Sequence, residues 1–459
     1  SDRWALIPHA ASYPAQVQAA GRQLSVVSKL KQDIEQRRFV ALLKRISTKD
    51  AVHFLSRTQA LDGDLIERFA NRWDWINLSR NKVLNWSPEL IERFVDSWNW
   101  GYVTEFGIDM GLSGNESLPW TPELIERYED RWNWGGSRNC SSFGLSVNVA
   151  LPWSLDLIER FADRWEWYPL SGNEALPWSL DLIERYEDRW GWDLISTNEA
   201  LPWSIDLIER YKDRWKGGMW GRWNGLSRNE ALPWSLDLIE CFSDRWDWYW
   251  LSGNEALPWS IDLIERYEDR WGWQGWKRLS CNAALPWSLD LIERFAYKHH
   301  RTWDVDTYED EDLFEGLTRN RALPWSVDLI ERYEDRWDWG KLSSNEALPW
   351  SVDLIERYED RWNWGKLSSN EALPWSVDLI ERYADRWEYG LWWGLNYNEA
   401  LPWSLDLIER FEDRYEDHLI EWLISGNEAL FLPLLRSADI AEIMEHHFPD
   451  DESRTSLIV

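Results

Sequence analysis

The amino-acid sequence predicts an elongated all-α solenoid of about thirteen repeats of about 25 residues, each a helix, a turn and a shorter helix. Three observations carry this prediction. Leu-Pro-Trp begins at Leu118, Leu151, Leu176, Leu201, Leu232, Leu257, Leu285, Leu323, Leu348, Leu373 and Leu401, with degenerate forms at Leu61 and Leu84. The run after each tripeptide spaces its apolar residues as one face of a helix. Arg-Trp-x-Trp and then Leu-Ser-x-Asn complete the unit. A self-similar period of this size means stacked units, not one enlarged core.

Taken in order, the chain opens with a segment unlike the rest. Residues 22–49 carry Arg22, Lys29, Lys31, Arg37, Arg38, Lys44, Arg45 and Lys49, with Ile34, Phe39, Leu42, Leu43 and Ile46 as a candidate buried face. Solenoids need terminal caps over their end units. Residues 1–60 therefore read as a basic helical N-terminal cap, 61–430 as the Trp-rich repeats, and 431–459 as a C-terminal cap helix (Ser437–Phe448) with a polar tail. A basic cap on an acidic chain suggests a homo-oligomer, the cap of one copy docking on the acidic flank of another.

The unit at residues 176–200 shows the repeat without interruption. Pro177 fixes the chain entering the helix, and Ser179 is a natural N-cap. Asp181 sits where the helix dipole favours negative charge and four residues before Arg185, an ion-pair spacing. Leu182, Ile183, Tyr186 and Trp190 share one face. The segment Trp192–Asn198 reads as a second, shorter helix, with Asn198 as a left-handed cap. A competing local signal, Ser171-Gly172-Asn173-Glu174, reads as a capping box that starts a turn at Ser171. The alternative architecture is a leucine-rich-repeat-like α/β solenoid with Leu-Ser-x-Asn as a strand. Its period fits, but Lys341-Leu342-Ser343-Ser344-Asn345 supplies only one leucine before the asparagine.

Successive units start 23 to 38 residues apart, and the extra residues fall after Arg-Trp-x-Trp and before the asparagine. They are Gly101–Gly111, Gly135–Gly144, Lys216–Gly225, Gln274–Arg278, Tyr297–Gly316 and Gly390–Gly394. Insertions at one position of a solenoid emerge on one edge; either these loops fold back and cover neighbouring units, or the edge is a recognition surface. Trp220, Trp223, Trp276, Trp392 and Trp393 are the candidate binding aromatics of that edge. The longest insertion replaces its unit's Arg-Trp-x-Trp, so the stack is expected to be interrupted or hinged there. It carries His299, His300, Asp304, Asp306, Asp310, Asp312 and Glu315 as a weak candidate metal site, with several of these carboxylates at calcium-loop positions. Tyr308 and Glu309 stand where such a loop wants an oxygen ligand and a glycine, which favours a solvated acidic loop.

Composition narrows the function. The chain has 459 residues, 41 of them tryptophan, and a formal net charge of −31. Such a field repels phosphate backbones and anionic lipid surfaces, and it attracts basic proteins. Cys140, Cys241 and Cys281 form no disulfide framework or metal pair, which fits a reducing, cytoplasmic setting. No apolar run approaches membrane-spanning length, and no signal-peptide pattern opens the chain at Ser1.

Catalytic constellations do not stand out. Glu-Asp pairs such as Glu187-Asp188 recur in one shared environment, whereas acid–base work needs carboxylates in different ones. The recurrent serines are explained as caps. No cofactor motif is present, and the expectation is a non-enzyme. The periodic indoles, represented by Trp178, Trp190, Trp203, Trp350, Trp362 and Trp375, are expected to be structural core, each burying about 150–250 Å².

The string Trp-x-Trp-x-x-Leu-Ser-x-Asn-x-x-Leu-Pro-Trp resembles tandem repeats of uncharacterised bacterial proteins and the Trp/Asn repeats of giant DNA viruses. The resemblance covers residues 61–430 and implies no activity or functional residue. The expected function is a scaffold that binds a protein partner, basic in character on the charge balance, through the insertion edge and the acidic flank. The alternatives are a carbohydrate or small-ligand module using the loop aromatics, and an acidic, nucleic-acid-mimicking accessory domain of a bacterial defence or toxin system.

Overall fold

In a computed structural model the protein is an all-α solenoid of short helices. The described residues are 29, 31–104, 107–109, 111–135, 144–215, 222–298, 314–388, 394–395, 398–410 and 435–449. The chain forms two compact units, Ser1–Asp74 with Trp403–Val459, and Trp75–Pro402.

In the first unit both ends of the chain pack together. A helix over 31–45 and the helix Thr48–Thr58 bury Phe39, Leu42, Leu43, Phe54 and Leu55, and the C-terminal helix Ser437–His447 buries Ile440, Ile443 and Met444. Ile34, read from the sequence as part of the buried face, is 57 % exposed. Opposite charges join the segments. Arg38 reaches Asp406 at 2.6 Å and Glu409 at 2.9 Å, and Lys44 pairs with Glu442 and Arg68 with Glu445. Two of the basic groups of the N-terminal segment, Arg38 and Lys44, are thus engaged within the chain.

The second unit shows why the repeat has its sequence. In the unit at Leu176, the amide of Trp178 donates to Leu176 O at 2.7 Å. This tight three-residue turn suits the fixed φ of Pro177. Ser179 then caps the helix Leu180–Arg185, its hydroxyl accepting from Leu182 N. That helix is shorter than the apolar spacing predicts. It ends because Trp190 folds back, and its indole N–H donates to Ile183 O at 3.2 Å, satisfying a carbonyl that helix termination leaves free. The other two indoles act likewise. Trp178 donates to Asn173 O at 2.9 Å and Trp192 to Glu187 O at 3.1 Å. Each tryptophan therefore contributes apolar area and a backbone anchor together.

Burial differs among them. Trp190 and Trp362 are each 5 % exposed and form the core, whereas Trp178, Trp203, Trp350 and Trp375 are half-buried. Trp190 is the hub of its layer. It meets Trp178 at 5.0 Å, Tyr186 at 6.2 Å, and Trp167 of the preceding unit at 5.0 Å, the last edge-on. Burying such a ring contributes up to about 4–6 kcal/mol at about 25 cal/mol per Å².

The short helix Trp192–Thr197 supplies the joints between units. Asn198 ends it in extended geometry (φ −75°, ψ 119°), not the left-handed geometry expected from sequence. The reason is that its side chain is shared. Nδ2 donates to Ser171 O of the preceding unit at 3.1 Å, while Oδ1 accepts from Ala200 N at 3.0 Å. The same bond recurs from Asn115 to Asn398. The serine is a second joint and opens no capping box: Ser171 Oγ donates to Trp167 O and accepts from Gly191 N of the next unit.

The expected interruption at the longest insertion does not occur. Asn320 donates to Ser280 O at 2.9 Å and to Asn282 O at 3.2 Å, so the asparagine ladder runs through that unit. Insertions leave and re-enter the stack locally. In 101–111, Tyr102–Thr104 pairs antiparallel with Gly107–Asp109, and Leu112 N returns to Asn99 O at 2.8 Å. Gly111 makes that return at φ +48°, with its missing Cβ only 2.2 Å from Asn99 O.

Candidate functional site

Two of the five insertion aromatics prove to be core. Trp223 is fully buried, meets Phe242 at 5.0 Å and Trp246 at 5.4 Å, and donates to Lys212 O. Trp276 is 7 % exposed. Both stand six residues before a ladder asparagine, as Trp167 and Trp192 do. Counted back from Asn229 and Asn282 they are the second tryptophan of Trp-x-Trp, displaced by extra residues placed before it. Phe314, six residues before Asn320, fills the same seat, 5.3 Å from Tyr333 and 5.2 Å from Trp337. Sequence reading missed it because it is not a tryptophan. Trp220, Trp392 and Trp393 lie outside the described residues. A ligand module built on all five aromatics loses two of them.

The candidate metal ligands divide similarly. His299, His300, Asp304, Asp306, Asp310 and Asp312 lie outside the described residues. Glu315 is described and is held by cations: Lys277 at 2.7 Å, Lys341 at closer range and Arg319 at 3.6 Å. Hydrogen bonds from the two lysines hold its carboxyl well down, at about 2. A carboxylate so neutralised is a structural ion-pair member. Among the described residues no group of three metal-ligating side chains forms.

The acidic flank is also laced with cations. Arg185 pairs with Glu159 of the preceding unit, not with Asp181, and Arg210 meets Glu184 at 2.5 Å. A second row joins Arg189 to Asp163 at 3.3 Å and Arg214 to Glu187 at 3.0 Å, with each guanidinium lying over the indole of the preceding unit. These pairs are solvent-exposed and weak singly.

One surface feature is left without an intramolecular partner. The first residue of the longer helix is exposed and aliphatic in six successive units: Leu155, Leu180, Ile205, Leu236, Ile261 and Leu289, each between 37 and 46 % exposed. They are six of the eleven exposed large apolar side chains among the described residues, so more than half of these fall at one position of the repeat. Beside each stand an exposed proline and a half-buried tryptophan, as with Pro177 and Trp178. The next residue is an exposed aspartate, such as Asp181 or Asp206, with no ion pair among the described residues. The repeat thus presents an apolar ribbon edged with free carboxylate. In later units the aliphatic residue is valine (Val327, Val352, Val377) and half-buried, so the ribbon is strongest from 155 to 289.

No family model, curated protein or solved structure matches the chain. No helix among the described residues is long and apolar enough to cross a membrane.

Proposed function

We propose that the chain is a non-enzymatic repeat scaffold that binds an extended, basic segment of a partner protein along the Pro-Trp-Ser-aliphatic ribbon. The observation that carries this reading is the register of exposed aliphatic residues from Leu155 to Leu289, one per unit, each followed by an unpaired aspartate. A single exposed leucine needs no explanation, but a contiguous apolar row marks an interaction surface. Packed helices lie about 8–10 Å apart, and a polyproline II segment advances about 3.1 Å per residue with three residues per turn. A partner segment in that conformation therefore presents one face to successive units at about every third residue. Lysine or arginine between those positions meets the aspartates.

The test is titration of the full chain with a lysine-rich peptide carrying leucine at every third position, against a shuffled peptide of the same composition. The expected outcome is tighter binding of the spaced peptide, weakened about tenfold or more in a variant combining Leu180→Ser, Ile205→Ser and Leu236→Ser. Equal affinity for both peptides, or an unaffected variant with unchanged melting, would contradict the proposal.

A further inference from the structure

We propose that Arg228, Trp250 and Arg278 form a binding site for a small oxyanion, a phosphate or carboxylate group engaged by two guanidiniums that share one indole. The three residues belong to successive units: the helices Asn224–Arg228, Trp248–Leu251 and Glu268–Cys281. The Arg228 Cζ lies 4.4 Å from the centre of the Trp250 ring and the Arg278 Cζ lies 4.6 Å from it, so cations from the unit before and the unit after meet the same indole. Arg278 also lies 4.9 Å from the Tyr249 ring. Its seat is made by a missing side chain, since a Cβ on Gly253 would come within 2.5 Å of Nη2 and 2.7 Å of Nε.

Other arginines of the array set the contrast. Arg189, Arg214 and Arg361 also lie over indoles, but each is tied to carboxylates of the preceding unit, Arg361 to Glu334 at 3.0 Å. Those stacks are closed charge pairs. Arg228 and Arg278 have no carboxylate partner among the described residues, although the chain carries 81 aspartates and glutamates. Nε of Arg278 is buried and makes no hydrogen bond. Guanidinium stays charged at any physiological pH, and two such charges on one ring repel each other. An oxyanion at the ring edge relieves that repulsion and receives the forked N–H donors, the geometry in which arginine binds phosphate and carboxylate best. Held flat by Trp250, Tyr249 and Gly253, Arg278 loses little side-chain freedom on binding.

The experiment is calorimetric titration of the full chain with pyrophosphate and, separately, with citrate. The proposal expects saturable binding of at least one, with pyrophosphate alone identifying a phosphate ligand and citrate alone a carboxylate one. Arg278→Gln and Arg228→Gln should each weaken it by about tenfold or more, and Gly253→Ala should do the same by unseating Arg278. Arg189→Gln, whose guanidinium already has its carboxylate, should bind as the parent does. If Arg278→Gln lowers the melting temperature, the exposed Arg228 carries the test. The proposal fails if neither anion gives saturable heat up to millimolar concentration, or if Arg228→Gln binds like the parent.

Discussion

The unit at Leu348 and the unit at Leu285 look unrelated between their fixed points. In one, 25 residues separate successive ladder asparagines (Asn345 to Asn370); in the other, 38 do (Asn282 to Asn320). The joints are nevertheless the same. Asn370 donates to Ser343 O at 3.0 Å and Asn320 to Ser280 O at 2.9 Å. Trp364 meets Tyr383 at 4.7 Å and Trp387 at 4.9 Å, while Phe314 meets Tyr333 at 5.3 Å and Trp337 at 5.2 Å. The ring seat and the asparagine joint are therefore kept while the chain around them varies: extra residues fall before the seat in the units of Trp223 and Phe314 and after it in those of Trp100 and Trp134, which make the same ring contacts. Extra loop length adds little closure cost, about 0.6 kcal/mol per doubling, so the stack tolerates insertions that leave those positions intact.

The sharpest way to break this comparison is to remove a hub. Trp362 is 5 % exposed and touches Trp339, Trp350 and Tyr358, so Trp362→Ala should cost about 3–5 kcal/mol in urea unfolding. The half-buried Trp350→Ala should cost about 2 kcal/mol. Equal losses would place both indoles in one core and undo the distinction between hub and ribbon. Next, Phe314→Ala should cost about 3 kcal/mol, whereas Phe314→Trp, which restores the residue found in the uninterrupted units, should stay within about 1 kcal/mol of the parent. Severe destabilisation by Phe314→Trp would show that the interrupted unit has its own geometry.

A smaller effect belongs to Glu315, which joins Lys277 and Lys341 beside the usual surface pairs Arg294–Glu265 and Arg332–Glu293. Its carboxyl is lowered to about 2, so its stabilising contribution is present above the unfolded-state value near 4.3 and is lost as pH falls towards 2. Glu315→Gln should therefore cost about 1 kcal/mol at neutral pH, after allowance for solvent screening, and the gap to the parent should close as pH falls through the acid range. A gap independent of pH would mean that packing, not charge, holds the side chain. The smallest effect is expected for Arg357→Gln, which removes an exposed pair with Glu331. It should cost less than about 1 kcal/mol and less still in high salt.

How much of this was legible in the sequence follows from where each partner lies. The caps were legible, because Ser179 and Leu182 are three residues apart. The burial of Trp190 was legible too, although it lies past the helix Leu180–Arg185 and is brought back onto it by the bond to Ile183 O, not by helical spacing. The helix end was not, because the bond from the Trp190 indole to Ile183 O depends on the chain turning back. The ladder was not either: Asn198 reaches Ser171 O, 27 residues upstream, and no single unit reveals that. Trp223 and Trp276 were misplaced because counting forward from Arg-Trp puts them among inserted residues, whereas counting back from the asparagine puts them in register. The ribbon was partly visible in the recurrent Leu-Asp and Ile-Asp steps, but only burial separates Leu180 outside from Leu182 inside.

The most direct measurement is the pair Asn320→Ala and Asn370→Ala, compared by urea unfolding. Each removes a buried side chain that holds the preceding unit, Asn320 through Ser280 O and Asn282 O and Asn370 through Ser343 O, and an amide of its own, Ala322 N in one case and Ala372 N in the other. A ladder continuous through the longest insertion predicts losses of about 3 kcal/mol each, equal within about 0.5 kcal/mol. An Asn320→Ala protein as stable as the parent, beside a weakened Asn370→Ala, would contradict it.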